Sequence, residues 1–134
     1  REAFETRLEA GGFVEWNDFL GNYYGTPRPD HLDAADGPDI VFEIEVNGAQ
    51  LVKRQYPDAI LIFVLPPSRA EQERRLRGRG DPDDKVAVRL RKAEEEEPVG
   101  LAIADYVVVN DDLIRTVTEL GDIVERERAR AGAR

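Results

Sequence analysis

Apolar residues occur along this chain in short blocks, and the spacing within each block predicts a helix or a strand. The first nine residues place apolar side chains at helical spacing before Gly11-Gly12, which predicts a short helix that stops there. Residues 13–20 and 22–26 predict two strands joined by a turn near Gly21. Residues 27–38 are polar and interrupted by Pro and Gly, which predicts at most a short helix around residues 32–35.

The middle of the chain contains a buried-strand pattern between two amphipathic segments. Residues 40–46 predict a mostly apolar strand, and residues 48–56 predict a helix that ends before Pro57. The run A-I-L-I-F-V-L at 59–65 has no polar residue, so it predicts a parallel strand covered by helices on both faces. Ser68 and Glu71 then form a capping-box pattern that predicts a helix to about Arg77.

The last third repeats the same alternation of helix and strand. Residues 78–84 predict an exposed connection, and residues 85–97 predict a charged helix that Pro98 breaks. Residues 106–109 predict a short buried strand, and Asn-Asp-Asp at 110–112 predicts the start of a final helix. Its inner face is predicted from four apolar positions: Leu113, Val117, Leu120 and Val124. This order predicts an α/β fold with a parallel sheet, into which the antiparallel segment at 13–26 is inserted.

Composition excludes several kinds of protein. The 134 residues carry a net charge of −9, which argues against a nucleic-acid-binding chain. No apolar run approaches the roughly 20 residues that cross a bilayer, so no membrane partner is expected. The absence of Cys excludes a disulfide framework and is compatible with a reducing cytosol, so a cytoplasmic location is expected.

The first candidate site is the aromatic segment E-W-N-D-F-L-G-N-Y-Y-G-T-P at 15–27. The Glu15 carboxylate, the Tyr24 phenol and the Thr26 hydroxyl would come from two adjacent strands. Such a set suits a small ligand that carries N–H donors and a phosphate. The alternative is an ordinary hairpin whose glutamate faces solvent.

Three further segments carry candidate chemistry. Glu43 and Glu45 alternate on the predicted strand 40–46, so both would lie on one face, either at a ligand crevice or at a solvent-facing edge. Arginines cluster in R-R-L-R-G-R-G at 74–80, which suits either a multi-phosphate ligand or a surface helix with i,i+4 ion pairs. Asn110 follows the strand V-V-V, where ordinary helix capping is the alternative to ligand binding.

Taken together, these motifs resemble those of bacterial-type guanylate kinases over about residues 1–128. The resemblance rests on E-W-(x)4-G-N-Y-Y-G-T-P, F-E-I-E-V-N-G, R-x-x-G-R-G and V-V-V-N-D-D-L. It implies the transfer of the ATP γ-phosphoryl group to GMP, with Mg²⁺ accompanying ATP. Glu15 and Thr26 would recognise guanine, and Tyr24 would hold the GMP phosphate.

The resemblance also assigns the remaining candidates. Glu43 and Glu45 would lie on the GMP side near the phosphates, and Glu45 stands where the family usually has Asp. Arg75, Arg79 and Arg89 would belong to a mobile lid that closes on the transferring phosphates. Arg79 would also hold ATP, and Asn110 would contact its adenine.

The implied organisation is a GMP-binding lobe at 1–38, core at 39–68 and 99–128, a lid region at 69–98 and a frayed tail at 129–134. The phosphate loop G-x-x-x-x-G-K-[ST] and the first central strand of the family are missing from these residues. We therefore expect this chain alone to be inactive as a kinase, and to be unstable or oligomeric. The alternatives are a non-catalytic phosphopeptide-binding module, which would have lost its ATP-side residues, and an inert fragment.

Overall fold

The computed structural model describes residues 2–9, 13–19, 22–27 and 39–132. The chain divides into two compact units, with the boundary between Ala59 and Ile60. The elements in chain order are α1 (Glu2–Glu9), β1 (Phe13–Phe19), β2 (Asn22–Pro27), α2 (Val46–Gln55), β3 (Ile62–Leu65), α3 (Arg69–Gly78), α4 (Asp83–Ile103), β4 (Tyr106–Val109) and α5 (Leu113–Gly132). The predicted α/β class is confirmed. The helix expected around residues 32–35 and the turn at Gly21 lie outside the described residues.

The first unit contains the predicted antiparallel strand pair. β1 and β2 pair from Phe19 opposite Asn22 to Phe13 opposite Pro27. The register shifts between Phe13 and Glu15, because two steps along β1 correspond to one step along β2. Such a bulge bends a strand and often lies beside a functional site. α2 lies against β1 in the same unit.

The strand predicted at 40–46 is wrong in this structure. Residues 39–45 form no strand, and Val46 already belongs to α2. Glu45 has an extended backbone, but a strand also needs a neighbouring backbone with which to exchange hydrogen bonds. Among the described residues, no strand pairs with this segment. The alternating apolar and acidic pattern therefore gives extended chain that leads directly into a helix.

The second unit is built around a parallel pair of strands, β3 and β4. Ile62 pairs with Tyr106, and the register continues to Leu65 opposite Val109. The Asp105 carboxylate extends the pairing by accepting a hydrogen bond from the Leu61 backbone N–H at 2.8 Å. Alternation along the strands puts Phe63 and Tyr106 on opposite faces. Phe63 lies against Gly100 of α4, whereas Tyr106 donates from its hydroxyl to Glu127 of α5.

The apolar run at 59–65 is less buried than predicted. Ile60 and Val64 are each more than 40% exposed, as are Val107 and Val109 of the paired strand. Across the described residues, this sheet has two strands, so one helix on each face leaves alternate side chains partly uncovered. The buried residues of this unit are instead Leu76 and Val86 on α3 and α4, which pack together, and Val108, Thr116 and Ile123 on β4 and α5, which also pack together.

α3 begins and ends as its sequence predicts. The Ser68 hydroxyl accepts a hydrogen bond from the Glu71 backbone N–H at 3.1 Å, which caps the first turn. Gly80 follows the last turn with φ of +85°, a left-handed conformation that favours glycine. The Gly80 N–H donates to the Arg77 carbonyl at 2.9 Å and closes the helix end. The connection to α4 is correspondingly short.

Pro98 does not break α4, contrary to the prediction. The helix runs without interruption from Asp83 to Ile103. An interior proline costs about 3 kcal/mol, largely because it removes one backbone hydrogen bond. Here the carbonyl that loses its donor belongs to Glu94, which is exposed and can bind water. Packing of Gly100 against Phe63 stabilises the helical turn that follows Pro98.

The predicted inner face of α5 is partly wrong. Leu113 and Val117 are 72% and 59% exposed, whereas Thr116 and Ile123 are buried. Leu120 and Val124 are half-buried, so the true inner face is displaced around the helix from the predicted one. The helix also continues to Gly132, through part of the tail that was expected to fray. None of the helices in the described ranges is long and apolar enough to cross a membrane.

Candidate functional site

The predicted acceptor residues on the hairpin occupy matched positions in the strand register. Glu15 on β1 lies directly opposite Thr26 on β2, immediately after the bulge. Tyr24 lies opposite Asn17, two steps further along the hairpin. The backbone therefore brings the two predicted guanine-recognising residues to neighbouring positions. Their side-chain geometry lies outside the described part of the structure.

The two acidic residues at 43 and 45 have different environments. Glu45 is the N-cap of α2, and its carboxylate accepts hydrogen bonds from Gly48 N at 2.6 Å and Asn47 N at 2.8 Å. These bonds satisfy two backbone donors that a helix start leaves without partners. Glu43 is exposed. Of the two acids, the structure thus commits Glu45 to holding the start of α2.

The three predicted lid arginines are all in the second unit, and they differ in what they contact. Arg75 on α3 donates from Nε to the Glu71 carboxylate at 3.1 Å and from Nη2 to the Asn110 backbone carbonyl at 3.0 Å. Arg79, just after α3, is exposed and donates to the Asp81 carboxylate at 3.0 Å. Arg89 on α4 is exposed, with no hydrogen-bond partner among the described residues. A guanidinium has five N–H donors, so each could still bind a phosphate.

Glu71 organises the arginines of α3. Its carboxylate accepts hydrogen bonds from Arg74 and from Arg75, which lie three and four residues further along the helix. These guanidinium groups, chiefly that of Arg74, lower the pKa of the Glu71 carboxyl from 4.5 to about 2. The carboxylate is therefore ionised at neutral pH and fixes the direction of Arg75.

Asn110 lies where α3, β3 and α5 meet. Its backbone N–H donates to the Leu65 carbonyl at 2.7 Å, and its carbonyl accepts the hydrogen bond from Arg75. Its amide Oδ1 lies 3.0 Å from the Thr116 hydroxyl. Asn110 itself is only partly buried. The backbone of this predicted adenine contact is thus fixed by hydrogen bonds to β3 and α3.

Sequence reasoning missed Thr116 and Glu71 as parts of this arrangement. Thr116 was overlooked because the apolar spacing of α5 suggested a different inner face. A threonine six residues after Asn110, within the first turns of a helix, is the signal that points to it. Glu71 was recognised only as part of the capping box, although it also lies three and four residues before two arginines.

The described residues contain no cluster of three or more His, Cys, Asp or Glu side chains that could hold a metal ion. Mg²⁺ often keeps several waters and binds mainly through the phosphates of a nucleotide. A metal brought in with ATP would therefore not require a cage built by these residues.

Comparisons with known proteins identify the family. The sequence model of the guanylate kinase family matches residues 1–127. The chain is 46% identical over 132 residues to the guanylate kinase of Symbiobacterium thermophilum, covering 97% of this chain and 62% of that protein. It is 45% identical over 129 residues to the guanylate kinase of Myxococcus xanthus, covering 95% of this chain and 62% of the relative.

A solved structure gives the same result. The crystal structure of guanylate kinase from Anaplasma phagocytophilum matches with a TM-score of 0.78 at 30% sequence identity. The match covers 95% of this chain and 62% of that one. This chain belongs to the guanylate kinase family, as its motifs predicted, and it spans about three fifths of the length of the relatives that it matches.

Proposed function

We propose that this chain carries the GMP-recognition residues and the lid of a kinase that transfers the ATP γ-phosphoryl group to GMP, giving ADP and GDP. Because the chain belongs to this family, the proposal rests on one observation. Every residue matching the acceptor motifs falls in the first compact unit, and every residue matching the lid and ATP motifs falls in the second. The substrate-binding functions are thus divided between two structural units of one chain.

On the acceptor side, guanine is recognised through its N–H donors. The Glu15 carboxylate accepts from N1–H and from the 2-amino group, and Thr26 contributes from the opposite register position. Glu43 is exposed and can complete the guanine site, whereas Glu45 holds the start of α2. Adenine has an unprotonated N1 at neutral pH, so it would place an acceptor against a carboxylate. Such a site discriminates strongly, because mismatched buried polar groups are left without partners.

On the donor side, arginines neutralise charge during transfer. A GMP phosphate oxygen attacks the γ-phosphorus of ATP, and the bond from that phosphorus to the bridging oxygen breaks, leaving ADP. Catalysis of this reaction depends mainly on positioning and electrostatic stabilisation. Arg79 and Arg89 are exposed, so they can meet phosphates on lid closure, while Arg75 links α3 to Asn110. Mg²⁺ that accompanies ATP would neutralise further phosphate charge.

These residues do not include the glycine-rich phosphate loop, so we propose that the chain by itself does not catalyse the transfer. The presence of the lid arginines and Asn110 favours a kinase over a phosphopeptide-binding module, which would have no use for them.

The test is GMP binding by Glu15→Ala, compared by calorimetry with wild type in the full-length gene product. Loss of the guanine hydrogen bonds should weaken GMP binding by roughly 1–3 kcal/mol. Binding of AMP, which gains nothing from Glu15, should hardly change. Asp18→Ala is the matched control, since Asp18 lies on the same strand but opposite Tyr23. Equal GMP affinity in wild type and Glu15→Ala would show that the hairpin has a structural role and that Glu15 does not bind guanine.

A further inference from the structure

Asn110 is held at three points by three different elements. β3 binds its N–H through the Leu65 carbonyl at 2.7 Å, and α3 binds its carbonyl through Arg75 at 3.0 Å. α5 contacts its side-chain amide through Thr116 at 3.0 Å. The first two bonds fix the backbone. The third leaves one choice open, which is whether the amide directs its oxygen or its nitrogen away from Thr116.

The Thr116 hydroxyl determines the orientation of the Asn110 amide. Thr116 is only 4% exposed, and its Oγ1 lies 2.8 Å from the Asp112 carbonyl as well as 3.0 Å from the Asn110 amide. A hydroxyl has a single hydrogen and cannot donate fully to two oxygens. A helical threonine commonly donates to the carbonyl four residues earlier, which here is the shorter contact.

An alternative orientation of the amide gives the Thr116 hydroxyl one acceptor and one donor. Turning the Asn110 amide by 180° exchanges oxygen and nitrogen at nearly the same positions. Thr116 then donates to the Asp112 carbonyl and accepts from Asn110 Nδ2. The Asp112 carbonyl has a second lone pair for the Thr116 backbone N–H, which donates to it at 2.9 Å.

We propose that Thr116 is a positioning residue that turns Nδ2 of Asn110 inward and presents its Oδ1 to the base of the phosphoryl donor. This inference rests on the proposed role of Asn110 as the base contact. The 6-amino group of adenine is a donor and matches an outward oxygen, whereas guanine has an oxygen acceptor at that position. Thr116 would thereby make the donor site prefer ATP to GTP without touching either nucleotide.

The orientation can be measured without nucleotide. In the full-length gene product, nuclear Overhauser contacts should connect the Asn110 Nδ2 protons to the β-proton and methyl group of Thr116. Their absence, with the Asn110 side chain assigned, would mean that oxygen faces Thr116 and would overturn the proposal. This measurement stands apart from catalysis, so a protein that shows the contacts but no kinase activity would refute only the proposed function.

Donor choice is then compared in variants at position 116. The ratio of kcat/KM with ATP to that with GTP, at a fixed GMP concentration, should fall about tenfold in Thr116→Val, the effect expected of one lost hydrogen bond. Thr116→Ser keeps the hydroxyl and should keep the ratio within about twofold. A purely structural role would lower both kcat/KM values equally, and an unchanged ratio in Thr116→Val would overturn the proposal.

Asn110→Asp provides a test that does not depend on how Thr116→Val folds. A carboxylate can only accept, so it mimics an outward oxygen. The variant should bind both nucleotides more weakly yet keep its preference for ATP. A preference for ATP that rises in Asn110→Asp would mean that the outward atom in wild type is the donor nitrogen, and one that is lost would mean that an acceptor at position 110 does not select the base. Either result would overturn the proposal.

Discussion

The Arg75 guanidinium donates to the backbone carbonyl of Asn110 at 3.0 Å, which ties the third helix to the end of the last strand. The same guanidinium is held by Glu71 at 3.1 Å. Arg75, which the motif resemblance assigns to the lid, is therefore hydrogen-bonded to Asn110, which the resemblance assigns to adenine binding. A movement of α3 would be transmitted to Asn110 through this bond.

Arg75→Lys should destabilise the protein, because an ammonium group cannot reproduce the fork that spans Glu71 and Asn110. The loss should be about 1 kcal/mol, since the side chain is partly exposed and solvent screens its charge. Urea denaturation measures this loss in the free energy of unfolding. Arg74→Lys is the control, because Arg74 is 72% exposed and, within the described part of the chain, pairs with Glu71 alone. Equal effects of the two substitutions would show that the bond to Asn110 adds nothing.

Arg79 should contribute to the rate of transfer more than to acceptor binding. It is exposed at the end of α3, and its proposed phosphate contact forms only when the lid closes. In the full-length gene product, Arg79→Ala should lower kcat by about 10²-fold or more, the range for one lost charge-stabilising donor. GMP affinity should remain within a few-fold.

Arg77→Ala is the matched control for Arg79. It removes the same charge two residues earlier, at a position that the motif R-x-x-G-R-G leaves open, and Arg77 is held by two carboxylates, those of Glu73 and Asp83. Steady-state kinetics with both nucleotides varied should show near-normal kcat for this variant. If Arg77→Ala and Arg79→Ala lower kcat equally, the loss comes from the change in net charge and not from a specific contact of Arg79.

Gly100→Ala should destabilise the second unit by about 1–3 kcal/mol, because the added Cβ would lie 2.6 Å from the Phe63 ring and force the helix or the ring to move. Gly121→Ala should instead stabilise the protein by about 0.5–1 kcal/mol, since nothing lies within 4 Å of its added Cβ and alanine favours the helix. Thermal and urea unfolding distinguish the two. Comparable stability of both variants would mean that α4 does not depend on this close approach.

The contribution of Glu71 to stability should depend on pH. Its pKa is lowered to about 2 in the folded protein, chiefly by Arg74, so folding favours the ionised form. The stabilisation is then fully present above the unfolded value of 4.5 and is lost as the pH falls towards 2. The difference in free energy of unfolding between wild type and Glu71→Gln should shrink over that interval. If this difference in free energy of unfolding stays constant between pH 4.5 and about pH 2, Glu71 does not form stabilising ion pairs with the arginines of α3.

Local sequence rules were reliable where the determining interactions lie within a few residues. The Ser68 cap and the strand pair β1–β2 join groups that are near in the sequence, and their predictions are confirmed. The prediction of β4 is also confirmed, although its partner β3 is distant in the sequence. The strand predicted at 40–46 failed because alternation supplies side chains but no partner backbone. Pro98 was expected to end a helix, yet α4 continues through it, and Gly100 in the following turn packs closely against Phe63.

The sequence by itself determined the family, the α/β class and the identity of the proposed site residues, because motif spacing and helix or strand periodicity are properties of the chain alone. Only the tertiary structure showed that Glu45 caps a helix, that Arg75 and Thr116 both hold Asn110, and that Thr116 rather than Leu113 faces the core. These contacts join residues whose packing depends on neighbouring elements, and periodicity in one helix does not specify which side those neighbours occupy.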